Sequence, residues 1–175
     1  MISTTIRQAT LAEASLAADI SRRNFTESFG ASYPPADLAA FLSQSYSLAQ
    51  HEAWLADSRY ALFLLDQGGE LLGHALVGPC GLPHIDVKPG DGELKRLYVL
   101  KKAHGAGLGT QLLDTALAWL LKNGPLTLWL GVWSENFGAQ KLYQRYGFKR
   151  AGEYHFEVGG TRDFEFIYKR AAVHE

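Results

Sequence analysis

The sequence predicts one mixed α/β domain, and three observations lead there. The chain has 175 residues, a length that suits a single domain. Its hydrophobic period changes along the way, from helical spacing in the first third to short apolar runs after residue 60, then to an alternation of the two. A glycine-rich turn stands between a strand and a helix near the middle. Hydrophobic residues make up 47% and charged ones 20%, which excludes extended disorder. No composition shift marks a boundary, so residues 1–175 are read as one domain.

The elements follow in order. Residues 4–9 alternate weakly and read as a first strand. Residues 11–29 read as a helix whose stripe holds Leu11, Ala14, Leu16, Ala18, Ile20 and Phe25. Pro34-Pro35 opens a second helix, with Leu38, Phe41 and Leu42 at helical spacing. Residues 47–56 form a third. Two apolar runs, 61–65 and 71–77, flank Gly68-Gly69 and predict a hairpin. Residues 79–92 hold three prolines and three glycines and read as loop. A fourth strand spans 93–100. A helix over 108–122 follows the glycine turn and ends at Asn123-Gly124-Pro125. Residues 126–133 carry little polarity and read as a central strand. Asn136 starts a last helix that Gly147 closes, and strands near 149–157 and 162–169 meet at Gly159-Gly160.

Several function classes are excluded early. Cys80 is the only cysteine, so no intrachain disulfide or multi-cysteine metal site exists, and a reducing cytoplasm is the expected setting. The formal net charge is −1, which gives no global reason to bind nucleic acid or an anionic membrane. No apolar run is long enough to span a bilayer, and the N-terminus lacks the pattern of a secretory signal. The six histidines, among them His74 in a strand and His174 in the tail, show no metal-ligand spacing, so no metal is expected.

The glycine turn reads His104-Gly105-Ala106-Gly107-Leu108-Gly109. Missing Cβ atoms let backbone N–H groups face an anion, and the helix that follows adds the positive end of its dipole. Thr110 and Gln111 stand in its first turn. A Walker A loop needs a lysine where Thr110 stands. A Rossmann loop needs an acidic residue about 20 positions on, where Trp129 stands. Either a phosphate cradle of another kind or a plain tight turn fits.

Asn136 and Tyr143 lie two helical turns apart, with small Ala139 between them on the same face. A phenol there can act as a general acid. The plainer alternative makes Asn136 a helix cap and Tyr143 a packed side chain.

Together these two stretches resemble the GCN5-related N-acetyltransferase (GNAT) superfamily. Its pattern is Q/R-x-x-G-x-G/A after a strand, then N-x-x-A-x-x-x-Y-x-x-x-G-F on a later helix. The second part stands intact as Asn136, Ala139, Tyr143, Gly147 and Phe148, and the first departs only at His104. The runs Trp129-Leu130-Gly131-Val132-Trp133 and Phe25-Thr26-Glu27-Ser28-Phe29 look similar to the bacterial spermidine/spermine acetyltransferase branch.

The resemblance implies a mixed, mostly antiparallel central sheet flanked by helices and splayed between strands 4 and 5. It implies acetyl-CoA as co-substrate, with the pyrophosphate on amides of His104, Gly105, Ala106, Gly107, Leu108, Gly109 and Thr110. The pantetheine arm would pair with Leu97, Tyr98 and Val99 and lie along Asn136 and Ala139. An N–H near Leu97 would polarise the thioester carbonyl. Tyr143 would protonate the departing thiolate, and Glu93, at the start of the fourth strand, matches a carboxylate base. Phe25, Phe29, Tyr33, Asp86 and Asp91 are the implied lining of the acceptor site, and Glu27 and Asp37 could supply further carboxylates to a polyamine. The activity implied is direct transfer of acetyl to a small primary amine. A peptide N-terminal acetyltransferase and a non-catalytic acyl-CoA sensor are the alternatives. Dimers are common among similar proteins, so a homodimer is the protein partner implied.

Overall fold

A hairpin seeds the sheet. Strands β2 (Ala61–Gln67) and β3 (Glu70–Pro79) pair antiparallel across Gly68-Gly69, as the two apolar runs predict. Strand β1 (Thr4–Gln8) adds to β2 and β4 (Gly92–Val99) to β3, both antiparallel. Strand β5 (Thr127–Trp133) then lies parallel to β4. Strand β7 (Thr161–Ala171) pairs antiparallel with β5, and β6 (Lys149–Val158) with β7. The order across the sheet is β1-β2-β3-β4-β5-β7-β6. The computed structural model describes residues 2–125 and 127–172, so Leu126 and His174 lie outside the described residues.

Among the described residues five α-helices cover this sheet: α1 (Ala14–Phe29), α2 (Pro35–Ser45), α3 (Leu48–Ala56), α4 (Leu108–Lys122) and α5 (Phe137–Arg145). The stretch expected as one helix from residue 11 begins instead with a tight 3-10 turn, Leu11–Glu13, because Thr10 and Glu13 close a reciprocal capping box there. Pro35 stands in the first turn of α2 with its φ preset for a helix. Ser47 starts α3 by accepting the Gln50 N–H at 3.1 Å.

The two faces of the sheet bury different partners. On one, Leu112, Leu113, Ala116 and Leu120 of α4 pack on Phe63, Ala75, Leu94, Leu128 and Leu130. On the other, Ala17 and Ile20 of α1 pack on Leu62, Leu64 and Leu76. Strand residues therefore alternate between the two helical layers, which is why β2 and β5 read as nearly unbroken apolar runs. Leu112 is fully buried. Leu112→Ala is expected to cost about 2–5 kcal/mol, through lost transfer energy and the cavity left behind, read as a lower midpoint in urea denaturation.

The sheet opens in its middle. Strands β4 and β5 pair only at Gly92↔Leu128, Glu93↔Trp129 and Leu94↔Leu130. Against β3, Leu94 lies opposite Val77 and Arg96 opposite Leu76, so Lys95 is the extra residue of a β-bulge. The bulge bends β4 away from β5 just where their pairing stops. From Lys95 to Val99, β4 has a partner on one edge only, and alternate backbone groups there face the gap.

Candidate active site

The gap leads into a cavity of about 810 Å³. Its walls come from both layers. Leu97, Val99, His104, Asn136, Ala139 and Tyr143 line it from the side of α4 and α5, while Phe25, Phe29, Tyr33, Tyr98, Tyr154 and Glu165 line it from the side of α1. One slot thus joins the two faces of the sheet through the splay.

Helix α5 places Tyr143 at this passage. Asn136 caps the helix, its Oδ1 accepting the Ala139 N–H at 3.2 Å, and it also lines the cavity. Asn136 is therefore a helix cap, as the plainer reading has it, and stands in the cavity wall as well. Tyr143 is 7% exposed and packs near Phe148 at 6.2 Å between ring centres. Burial pushes its phenol well above the usual tyrosine range, so it carries its proton at neutral pH.

The glycine turn lies beside the mouth. Gly105 and Gly107 have φ of 86° and 76°, and a Cβ on either would meet nothing within 4 Å. Their positive φ turns the chain so that the amides at the start of α4 face open space. Leu108, Gly109 and Thr110 have no helical acceptor for their N–H groups, and the first to find one is Gln111, bonded to Gly107 O at 3.1 Å. An anion is the partner such a helix start suits. Of the stretch 104–110, His104 alone reaches the cavity wall. Its Nε2 bonds Val99 O at 2.7 Å, which ties the turn back to the end of β4 rather than toward an anion. Lys101 lines the cavity, whereas Lys102 is paired with Glu70.

Glu93 sits at the start of β4, 8% exposed, in the cavity wall. Its Oε1 accepts from Lys95 Nζ at 2.8 Å and from Gly81 N at 3.0 Å. It is a neutralised carboxylate that ties the bulge residue to the incoming loop.

The acceptor lining is corrected in part. Phe25, Phe29 and Tyr33 do face the cavity, where Phe29 packs edge-on against Tyr98 and Trp133. Asp91 does not. It is 3% exposed and accepts from Lys88 N, Thr127 N and Trp129 Nε1, so it fastens the 80–91 loop to β5. Asp86 lies outside, exposed beside Lys169. Glu27 is spent on the Lys101 N–H and Asp37 on the Thr161 hydroxyl. The 80–91 loop contributes no lining residue, because Asp91 and a His84–Ala151 bond hold it against the sheet. The Cys80 thiol in it is pushed up to about 11 by burial and is no nucleophile at neutral pH.

Carboxylates not foreseen take the place of these. Glu135, Glu157, Asp163 and Glu165 line the cavity. Asp163 accepts from the Tyr33 hydroxyl, and Glu157 faces Arg162 at 3.5 Å. Tyr154, also unforeseen, lays its hydroxyl on the backbone of Gly131, where a Cβ would stand only 2.6 Å away. The clue lay in β7, where Asp163 and Glu165 share a strand face with buried Ile167. Among the described residues no group of His, Cys, Asp and Glu is placed to hold a metal ion. No helix among them is long and apolar enough to cross a membrane.

Comparison with known proteins adds a lineage to this geometry. A model of the acetyltransferase (GNAT) family matches residues 22–148. An uncharacterized N-acetyltransferase in the pepI 3' region of Lactobacillus delbrueckii subsp. lactis is 30% identical over 88% of this chain and 89% of its own. One from Mycobacterium tuberculosis H37Rv is 30% identical over 89% of this chain and 96% of its own. Among solved structures, the PaiA N-acetyltransferase of Thermoplasma acidophilum in complex with coenzyme A superposes with a TM-score of 0.76, at 18% identity, over 97% of this chain and 99% of that one. The ribosomal-protein-S18-alanine N-acetyltransferase of Escherichia coli does so at 0.71 and 22% identity, over 99% and 96%.

Proposed function

Because the chain belongs to the GNAT acetyltransferase family, we propose that it moves an acetyl group from acetyl-CoA to a small primary amine of polyamine type. The observation that carries the acceptor class is the wall facing α1. Asp163 and Glu165 line it among Phe29, Tyr33 and Tyr154, a surface suited to an ammonium group and the methylene stem that carries it. The reading takes residues 1–175 as one domain, supported by β1 and β7 lying in one sheet, and sets it in the cytoplasm, supported by the single cysteine.

Acetyl-CoA, when bound, supplies an activated acyl carbon and a thiolate leaving group. The protein's part is division of labour along the slot. Backbone amides of 104–110 hold the diphosphate at the start of α4. The open edge of β4 at Leu97, Tyr98 and Val99 pairs with the amide-bearing arm, and an N–H near Leu97 donates to the reacting carbonyl oxygen. Asn136 and Ala139 flank that arm. Tyr143 gives its proton to the departing sulfur. The phenolate left behind is more basic than a thiolate, so Tyr143 acts as a relay, refilled by the second proton that nitrogen sheds on becoming an amide. Glu93, engaged by Lys95 and Gly81, is given a positioning part, fixing the bulge that keeps the β4 edge open. Holding amine and acyl carbon in one slot supplies a large share of the acceleration, since aligned reactants gain roughly 7–11 kcal/mol.

Thiol release from acetyl-CoA against polyamines, aminoglycosides, amino acids and N-terminal peptides tests this reading. Release is expected with polyamines first. Turnover confined to peptides would replace the acceptor class, and coenzyme binding without release in every class would make the protein a sensor.

A further inference from the structure

Resting on the acetyltransfer reading above, we propose that Glu165 is the carboxylate that anchors the substrate's ammonium group and takes its proton. The residue lies in the middle of β7, opposite Trp133 on β5 and Tyr154 on β6, and lines the same slot as Tyr143. Trp133 is the last residue of β5, so Glu165 stands at the far end of the splay from Glu93, which lies in the paired part of β4 and β5. Between them Tyr154 rests on Gly131, and both carboxylates bear on its phenol. Glu165, Tyr143 and Tyr98 line the same cavity, and Glu165 and Tyr143 both bear on the Tyr98 phenol, as Tyr46 and Arg96 do.

What distinguishes Glu165 is the lack of a partner in a half-buried position, since Glu135, also unpaired among the described residues, is exposed. Glu93 has Lys95, Glu157 has Arg162, and Asp163 has the Tyr33 hydroxyl. Around Glu165 there is burial and the like charge of Asp163, but no donor or cation among the described residues. The groups that face it are Asp163 from its own strand, Tyr154 from β6, Tyr33 from the segment after α1 and Tyr98 from β4, with Glu93 and Lys95 beyond Tyr154 and the Arg96 guanidinium beyond Tyr98, over the Tyr46 ring. None of them is a cation in contact. A buried carboxylate without a counter-charge is costly to the fold and is retained where a ligand brings the charge. Burial and Asp163 raise its carboxyl to about 7, the range a base needs at neutral pH.

The step balances simply. One N–H bond of the ammonium breaks and one O–H bond forms on Glu165. The electron pair stays on nitrogen, which becomes the nucleophile, and the carboxyl returns its proton to water after the product leaves. Stability has the matching sign. A carboxyl raised in the folded state from its usual 4.5 favours the fold below that pH, and the contribution is lost as pH rises through about 7. Above pH 7 the free protein carries an unpaired buried charge that a bound cation relieves.

The test compares wild type, Glu165→Gln and Glu93→Gln, with spermidine as the amine probe. For wild type, log kcat/KM is expected to rise with unit slope to a break near pH 7 and stay level until the amine's own pKa, about 10. Glu165→Gln is expected to lose that break, to rise steadily toward pH 10, and to bind spermidine at least about tenfold more weakly in calorimetry at pH 8, while Glu93→Gln keeps the break. Without any ligand, Glu165→Gln is expected to melt higher than wild type at pH 8, by a margin that shrinks at pH 5. A break retained in Glu165→Gln, or a melting shift equal at both pH values, overturns the assignment. If wild type neither binds nor acetylates spermidine, the polyamine reading itself falls.

Discussion

Tyr143→Phe is expected to lower kcat by about 100-fold or more while the dissociation constant of acetyl-CoA stays within about twofold. The change removes one oxygen from a ring that is 7% exposed and packed beside Phe148, so the fold keeps its volume and its contacts. What disappears is the only proton that α5 can offer at the passage between the two faces. Stopped-flow thiol release reads the first quantity and coenzyme calorimetry the second. Because the phenol is held neutral by burial, no loss of wild-type rate from its ionisation is expected up to pH 10. Wild-type turnover in Tyr143→Phe would remove the residue from the chemistry. A large loss of coenzyme affinity would make it a binding residue instead.

Gly107→Val is expected to weaken acetyl-CoA by tenfold or more, with the intrinsic acceptor preference unchanged. Space is not the obstacle, since a Cβ at this position meets nothing within 4 Å. The obstacle is φ of 76°, a conformation that a β-branched residue adopts only with strain of about 1–2 kcal/mol or more. The chain relaxes by turning its amides away from the position an anion would take, and the isopropyl group then stands on the same open face. Calorimetric titration with coenzyme A reads the effect directly, without an acceptor. An unchanged dissociation constant would place the diphosphate elsewhere.

The sequence marks what is proposed as the donor half of this slot and is silent on the proposed acceptor half, for a physical reason. The proposed diphosphate cradle is local: Gly105, Gly107 and the start of α4 follow one another in the chain, and Asn136, Ala139 and Tyr143 repeat at helical spacing. Such patterns survive reading in one dimension. The acceptor wall is assembled from α1, β4, β6 and β7, so its members share no spacing. Asp91 looked like a lining carboxylate because it precedes β4, yet three donors wait for it in the loop and β5. Glu165 has no signature in the sequence, because nothing in one dimension announces a carboxylate without a partner. Gly131 read as one letter of a motif, and only the Tyr154 hydroxyl lying against it explains why a side chain is excluded there.

The three-rung seam between β4 and β5 has a consequence for solubility. A sheet that parts in its middle gains two raw borders in addition to its outer ones, and raw borders are adhesive toward other polypeptides. Here they face each other inside a narrow cleft, with Tyr143 and Asn136 standing over it. The unpaired edge of β4 is thereby kept inside the slot, where the proposed amide-bearing arm would use it.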